Sequence, residues 1–234
     1  MNPVVLLQGW GFSSRIWAGL QEALPDLQLQ TPRVDESAGT LAARADALSA
    51  HLARGSIVVG WSLGAMLAIE TARRHPERVS GLFLIGANAA FVRRESWPDG
   101  LAPEVVSAFR QDFTRQPART LKRFLALQIM GDGQRAPLQA LLDAALLAPH
   151  TPGLSQGLEI LENASLMDAL PAIRCPVELL HGKHDAIMPV AAARVIAQRI
   201  PHARLTEVAD AGHCPLFTQP AQMAALIRAF ADDR

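Results

Sequence analysis

Residues 58–68 read Val-Val-Gly-Trp-Ser-Leu-Gly-Ala-Met-Leu-Ala. An apolar run of the kind that forms a buried strand ends in Gly60-Trp61-Ser62-Leu63-Gly64, and an apolar helical pattern follows at once. No other stretch constrains the chain as strongly, because it demands a strand that turns directly into a helix. A serine on such a turn is pushed out above the strand ends, which is the G-x-S-x-G nucleophile elbow in its required context. The flanking glycines let neighbouring backbone pass close by. The helix that follows points its N-terminus at the serine, where its dipole favours developing negative charge. A plain serine N-cap with small neighbours shares part of the pattern. The strand ahead and the helix behind favour the elbow.

The rest of the chain supplies the setting such an elbow needs. Short apolar runs at 4–7, 57–59, 82–85 and 177–180 read as buried parallel strands, with 27–30 and 205–208 as weaker candidates. Helical apolar spacing lies between them, at 41–52, 66–74, 191–200 and 221–230. Strand alternating with helix predicts an α/β fold with a mostly parallel sheet and helices on both faces. The alternation stops over 88–165, where Pro98, Pro103, Pro117, Pro137, Pro149 and Pro152 divide the chain into short amphipathic helices. A helical cap over 88–165, inserted into a core of 1–87 and 166–234, is the expected organisation. The 22 basic and 22 acidic residues balance, so no polyanion-binding surface is expected, and nucleic acid is not an expected partner. No run approaches the ~20 apolar residues that span a bilayer. The first residues lack the basic segment of a secretory leader, and Cys175 and Cys214 form neither a disulfide framework nor a metal cluster. Reduced thiols and a cytoplasmic location are expected.

A serine hydroxyl needs a base, and on this scaffold the chain order is Ser, acid, His. His213 fits best, in Asp-Ala-Gly-His-Cys-Pro between the last candidate strand and the last helix. His75 precedes a proline at a helix end, His51 lies in a helical segment ahead of Ser62, and His181, His184 and His202 are weaker candidates. The acid should leave a strand end before His213. Asp185 does so after the run at 177–180, where it would fix the imidazole tautomer and stabilise the imidazolium. Asp210 is a rival, but it stands only three residues from His213 on one loop. The backbone N–H groups of Leu63, after the nucleophile, and of Trp10, on the Gly-Trp-Gly loop after the first strand, are the expected oxyanion hole.

Gly9-Trp10-Gly11, the elbow, Asp185 and Gly212-His213 together resemble the α/β-hydrolase superfamily over nearly the whole chain. Ser96-Trp97-Pro98, Arg123-Phe124-Leu125-Ala126-Leu127-Gln128 and Gly157-Leu158-Glu159-Ile160-Leu161 in the cap resemble the pimeloyl-[acyl-carrier protein] methyl ester esterases of biotin synthesis. The resemblance implies an α/β-hydrolase fold and a carboxylesterase that removes the methyl ester from pimeloyl-acyl carrier protein. It implies substrate contacts at Trp10, Ser62, Leu63, Phe124, Leu125, Ala126, Leu127, Gln128 and His213. The chain departs from that family at Gln8, where the family has histidine, and at residues 31–37, where the family has a glycine-rich loop.

The chemistry expected is acyl transfer through Ser62, with no metal and no organic cofactor. A short-chain esterase or C–C bond hydrolase on the same scaffold, and a ligand-binding receptor that keeps the fold, are the alternatives. The expected partner is an acyl carrier protein, with no membrane partner and a monomeric chain. On one helix Arg115, Arg119 and Lys122 would lie three and four residues apart and share a face, flanked by Arg123. That basic face would dock the acidic carrier.

Overall fold

The computed structural model describes residues 2–34, 38–218 and 220–234. Asp35, Glu36 and Ser37 of the loop that departs from the family pattern lie outside the described residues. Among the described residues six strands form one sheet: β1 (Val4–Leu7), β2 (Leu29–Gln30), β3 (Ser56–Trp61), β4 (Val79–Ile85), β5 (Val177–Gly182) and β6 (Arg204–Val208). Their spatial order is β2-β1-β3-β4-β5-β6 and every pairing is parallel. The inner strands are buried along almost their whole length, which is why they read as unbroken apolar runs. The edge strands are half-exposed, and β2 shrinks to two residues of the expected 27–30.

The core helices are α1 (Ala18–Ala23), α2 (Leu41–Ser49), α3 (Leu63–Arg74), α8 (Val190–Arg199), α9 (Pro215–Thr218) and α10 (Pro220–Asp232). Thr40 caps α2, its Oγ1 accepting from the Ala43 N–H at 3.1 Å. The helix stops at Ser49 rather than at 52, where the Ser49 hydroxyl donates to the Asp46 carbonyl at 2.7 Å. α3 starts three residues earlier than its apolar spacing predicts, because the turn at Ser62 feeds it directly. α1 and α9 are too short for a period to register, and neither is expected from the sequence.

Four more helices lie between β4 and β5: α4 (Pro103–Arg115), α5 (Pro117–Gln128), α6 (Arg135–Ala145) and α7 (Leu154–Asn163). The expected single helix through Arg115, Arg119 and Lys122 does not form. α4 ends at Arg115, Gln116 leaves helical geometry at φ −143° and ψ 65°, and Pro117 opens α5. Proline lacks the N–H that a helix interior needs but suits a first turn, so Arg115 ends one helix while the other three cations sit on the next. Among the described residues no helix is long and apolar enough to cross a membrane.

Chain order places the site. β1 is followed by a strand on one side of it, and β3 by a strand on the other. Parallel crossovers are right-handed, so reversing the direction of travel sets α1 and α3 on opposite faces. Ligands bind beyond the carboxyl ends of strands at such a reversal. The loop at residues 8–11 and the turn at Ser62 both leave the sheet there.

Candidate active site

Ser62 has φ 56° and ψ −117°. Its N–H donates to the Ile85 carbonyl at 2.9 Å, extending the β3–β4 ladder by one residue, while its own carbonyl accepts from Ala65 and Met66 at 2.9 and 3.2 Å. The strand therefore becomes a helix within one residue. The glycines make this possible. A Cβ on Gly60 would lie 2.5 Å from the Gly64 carbonyl oxygen, and a Cβ on Gly64 would run into the Leu7 carbonyl of β1. Any larger residue would lever α3 off the sheet.

His213 follows β6 and is fully buried. The neighbour of the serine, Trp61, donates its indole N–H to the His213 carbonyl at 3.0 Å. Gly86, next to the Ile85 that holds Ser62, lies against the imidazole, where an added Cβ would stand 3.0 Å from Cε1. The His213 Nδ1–H donates to Asp185 Oδ2 at 2.7 Å. That bond assigns the tautomer and leaves Nε2 as a buried lone pair with no partner among the described residues. Asp185 leaves β5 as expected. Its Oδ1 accepts from the N–H groups of Ile187 and Met188 at 2.8 and 2.9 Å, so the loop's own backbone clamps the carboxylate. Asp210, the rival acid, is exposed.

Burial opposes ionisation of Asp185, but the imidazoles of His213 and His181 and their hydrogen bonds outweigh it and hold the carboxyl well below its ordinary value of 3.8. A group depressed in the folded state stabilises the fold above its unfolded value and loses that contribution as pH falls through the folded one. We therefore expect the thermal midpoint of the native chain to drop faster than that of Asp185→Asn between about pH 4 and pH 2. Parallel acid limbs in the two melting profiles would contradict this.

Neither cysteine competes as a nucleophile. Burial, helped by Asp185 and Asp132, pushes the Cys214 thiol far up, and burial pushes Cys175 to about 11.

Trp10 is buried, and its indole N–H donates to the Leu154 carbonyl at the start of α7 at 2.8 Å. Its ring meets Phe109, Phe113 and Phe124 edge-on, with centroids 5.8, 5.5 and 5.0 Å away. The residue that carries one expected oxyanion N–H thus also holds α4, α5 and α7 against the core. A cavity of about 630 Å³ opens beside this loop, lined by Gln8, Gly9, Trp10, Arg33, Leu63 and Leu154 among others. The expected contact stretch on α5 does not share one face. Phe124, Leu125 and Gln128 are buried, whereas Ala126 and Leu127 are exposed. Gln128 accepts from the Cys214 thiol at 3.7 Å, next to His213.

Several residues at the site were not singled out from sequence. Phe109 and Phe113 carry an i, i+4 signal on α4, but nothing in the sequence links them to Trp10. The buried Asp132 caps its own turn through Gln134 N at 2.8 Å and faces the Gly212 N–H at 3.5 Å. Asn88, just past β4, is fully buried, with both amide atoms unpartnered among the described residues.

Residues 4–226 match the alpha/beta hydrolase family. The chain belongs to the alpha/beta hydrolase family. It is 43% identical over 239 residues to the pimeloyl-[acyl-carrier protein] methyl ester esterase of Aromatoleum aromaticum, covering 96% of each chain. The esterase of the same name from Nitrosomonas europaea is 35% identical over 94% of this chain and 91% of its own. Among solved structures, an esterase from Exiguobacterium antarcticum superposes with a TM-score of 0.85 at 22% identity, over 99% of this chain and 92% of that one. At that identity the likeness concerns the fold, and it covers the parallel sheet of this alpha/beta hydrolase together with the helices between β4 and β5.

Proposed function

We propose that the chain is a serine carboxylesterase that hydrolyses the methyl ester of pimeloyl-[acyl-carrier protein], through Ser62, His213 and Asp185. The observation that carries the reading is the buried Asp185–His213 pair, with its Nε2 unspent and its backbone carbonyl tied to Trp61, the residue before a serine on a strained elbow. The substrate comes from the relatives that bear that name.

The reaction runs as acyl transfer. Ser62 Oγ attacks the ester carbonyl carbon and its proton passes to His213 Nε2. The N–H groups of Trp10 and Leu63 receive the oxyanion. The tetrahedral intermediate collapses, the imidazolium returns the proton to the leaving oxygen, and methanol departs. Water then repeats the sequence on the acyl-enzyme and releases the carboxylate. Asp185 keeps Nδ1 protonated throughout, so Nε2 is always the atom that accepts. In this reading 88–165 is a lid on a core of 1–87 and 166–234, seated on the reacting centre through Trp10. Turnover of carrier-bound pimeloyl methyl ester should far exceed that of free short esters at equal concentration. The opposite ranking would make the chain a general short-chain esterase.

The carrier is proposed to dock on α5. Arg119, Lys122 and Arg123 line a shallow groove with Ala118 and Ala126, and all three cations are exposed. Arg115 stands beside them at the end of α4. Arg123 is already paired with Asp112 at 2.7 Å, so its reversal would unsettle the α4–α5 corner. Arg119→Glu with Lys122→Glu is the cleaner test, since it gives up a longer, exposed bond of 3.3 Å from Arg119 to Gln116 rather than an ion pair. Rim charges act mainly on association and are screened by salt. We expect kcat/KM on the carrier-bound ester to fall on the order of tenfold and to lose salt sensitivity, with a small free ester unaffected. Equal losses on both substrates would point to damage in the helix instead.

A further inference from the structure

His181 is the last residue but one of β5 and is fully buried. Its Nε2 lies 2.9 Å from the Met188 carbonyl oxygen and 3.2 Å from Asp185 Oδ2. A carbonyl oxygen only accepts, so Nε2 carries the hydrogen that Met188 receives, and the same N–H lies beside the carboxylate. Asp185 then accepts from Ile187 and Met188 on Oδ1 and from His213 on Oδ2, with His181 Nε2 beside that second oxygen. The Met188 carbonyl holds His181 while the Met188 N–H holds Asp185, so one peptide segment locks both side chains.

The geometry points to His181 as a positioning residue of the triad. Its Nε2–H fixes Oδ2 in the direction of His213 and takes up part of the carboxylate charge. The inference rests on the Ser62–His213–Asp185 reading and adds a second imidazole to it. The physical reason is that Oδ2 is the oxygen His213 uses. The backbone clamp acts on Oδ1, so a second N–H beside Oδ2 limits the movement left to that oxygen as the imidazole charges and keeps it in register with Nδ1. The other charged groups near His181 are Glu207, its register partner on β6, Arg194 of α8, which bridges to Glu207 at 2.6 Å, and Lys183. The variants below leave all of them in place.

Three variants test this. His181→Leu removes the donor. His181→Asn keeps polarity, but its amide is too short to reach Oδ2. His181→Gln carries an N–H out to where Nε2 stood. With a small chromogenic ester, kcat of the Leu and Asn forms should fall about ten- to a hundredfold, the usual cost of losing a group that orients a reacting one, with KM nearly unchanged. Their kcat/KM acid limb should move to higher pH, because an Oδ2 with one donor fewer gives more negative charge to the His213 imidazolium. The Gln form should recover most of kcat and the native limb. Folded fraction is scored by circular dichroism, and if the Leu form does not fold, the Gln and Asn pair decides. Native kcat and an unmoved limb in the Asn form, or Gln no better than Asn at equal folded fraction, would overturn the inference. Ser62→Ala is assayed alongside. Activity surviving there would remove the triad reading, and this inference with it. Activity lost there but untouched at His181 would remove this inference alone.

Discussion

Ser62→Ala should leave a folded protein with almost no esterase activity, turnover falling on the order of 10⁶-fold as in other triads stripped of their nucleophile. The local structure accounts for the first half of that statement. The Ser62 turn is held by its backbone, through Ile85, Ala65 and Met66, and alanine keeps every one of those bonds. It also keeps the Cβ, so the positive φ is as strained as before. Ser62→Gly separates the two effects. At φ 56° and ψ −117° a side chain costs about 1–3 kcal/mol that glycine does not incur. Glycine's greater chain entropy returns roughly 0.5–1 kcal/mol of that. The glycine variant should be equally inactive yet melt above the alanine variant. A serine kept in a conformation that costs stability is the expected mark of a position held for chemistry. More than a few per cent of native activity in either variant would mean that Ser62 is not the nucleophile, and an alanine form more stable than the glycine form would mean that the elbow is not strained.

What could be read from the sequence followed from how strongly each feature is encoded. β1, β3, β4 and β5 are buried on both faces, and their apolar runs leave little room for another assignment. β2 is half-exposed and two residues long, so it left only a weak signal. Asp185 and His213 could be paired in advance because both follow strand ends in the order the elbow demands, and they lie 2.7 Å apart. His181 is only a weaker candidate in the sequence for the opposite reason. Its partners are a backbone carbonyl seven residues on and a carboxylate four residues on, and only the closing of the loop brings them together. The α4–α5 corner is legible in the sequence, and the expectation of one helix runs across it. Pro117 should have ended any helix through Arg115, and charge spacing alone hid that. The aromatic contacts of Trp10 join the loop after β1 to segments roughly a hundred residues away, a pairing that no local pattern encodes.

Asp185→Asn should cost about 10⁴ in turnover, the penalty for presenting the wrong imidazole tautomer, while Asp210→Asn should cost little. The hydrogen-bond directions dictate the first outcome. Oδ1 of residue 185 faces two backbone N–H groups, those of Ile187 and Met188. In the variant the amide must turn its carbonyl oxygen toward them, because an NH₂ group there would leave two donors facing two donors. The NH₂ group is then forced into the place of Oδ2, where it meets His213 Nδ1 and His181 Nε2. Facing a donor, Nδ1 becomes the acceptor and the proton moves to Nε2. That is the atom that must take the Ser62 proton, so the base is blocked without any side chain having moved. Activity should return in part as pH rises, because at high pH deprotonated serine needs no base. Asp210 offers no such lever, since its side chain is exposed and the neighbouring loop meets its backbone carbonyl, through the Gly133 N–H at 3.4 Å. The measurement is kcat for both variants on one chromogenic ester across the pH range. Equal losses, or the larger loss at Asp210, would mean that His213 does not take its orientation from Asp185 and that the backbone bonds to the Asp185 carboxylate serve folding alone.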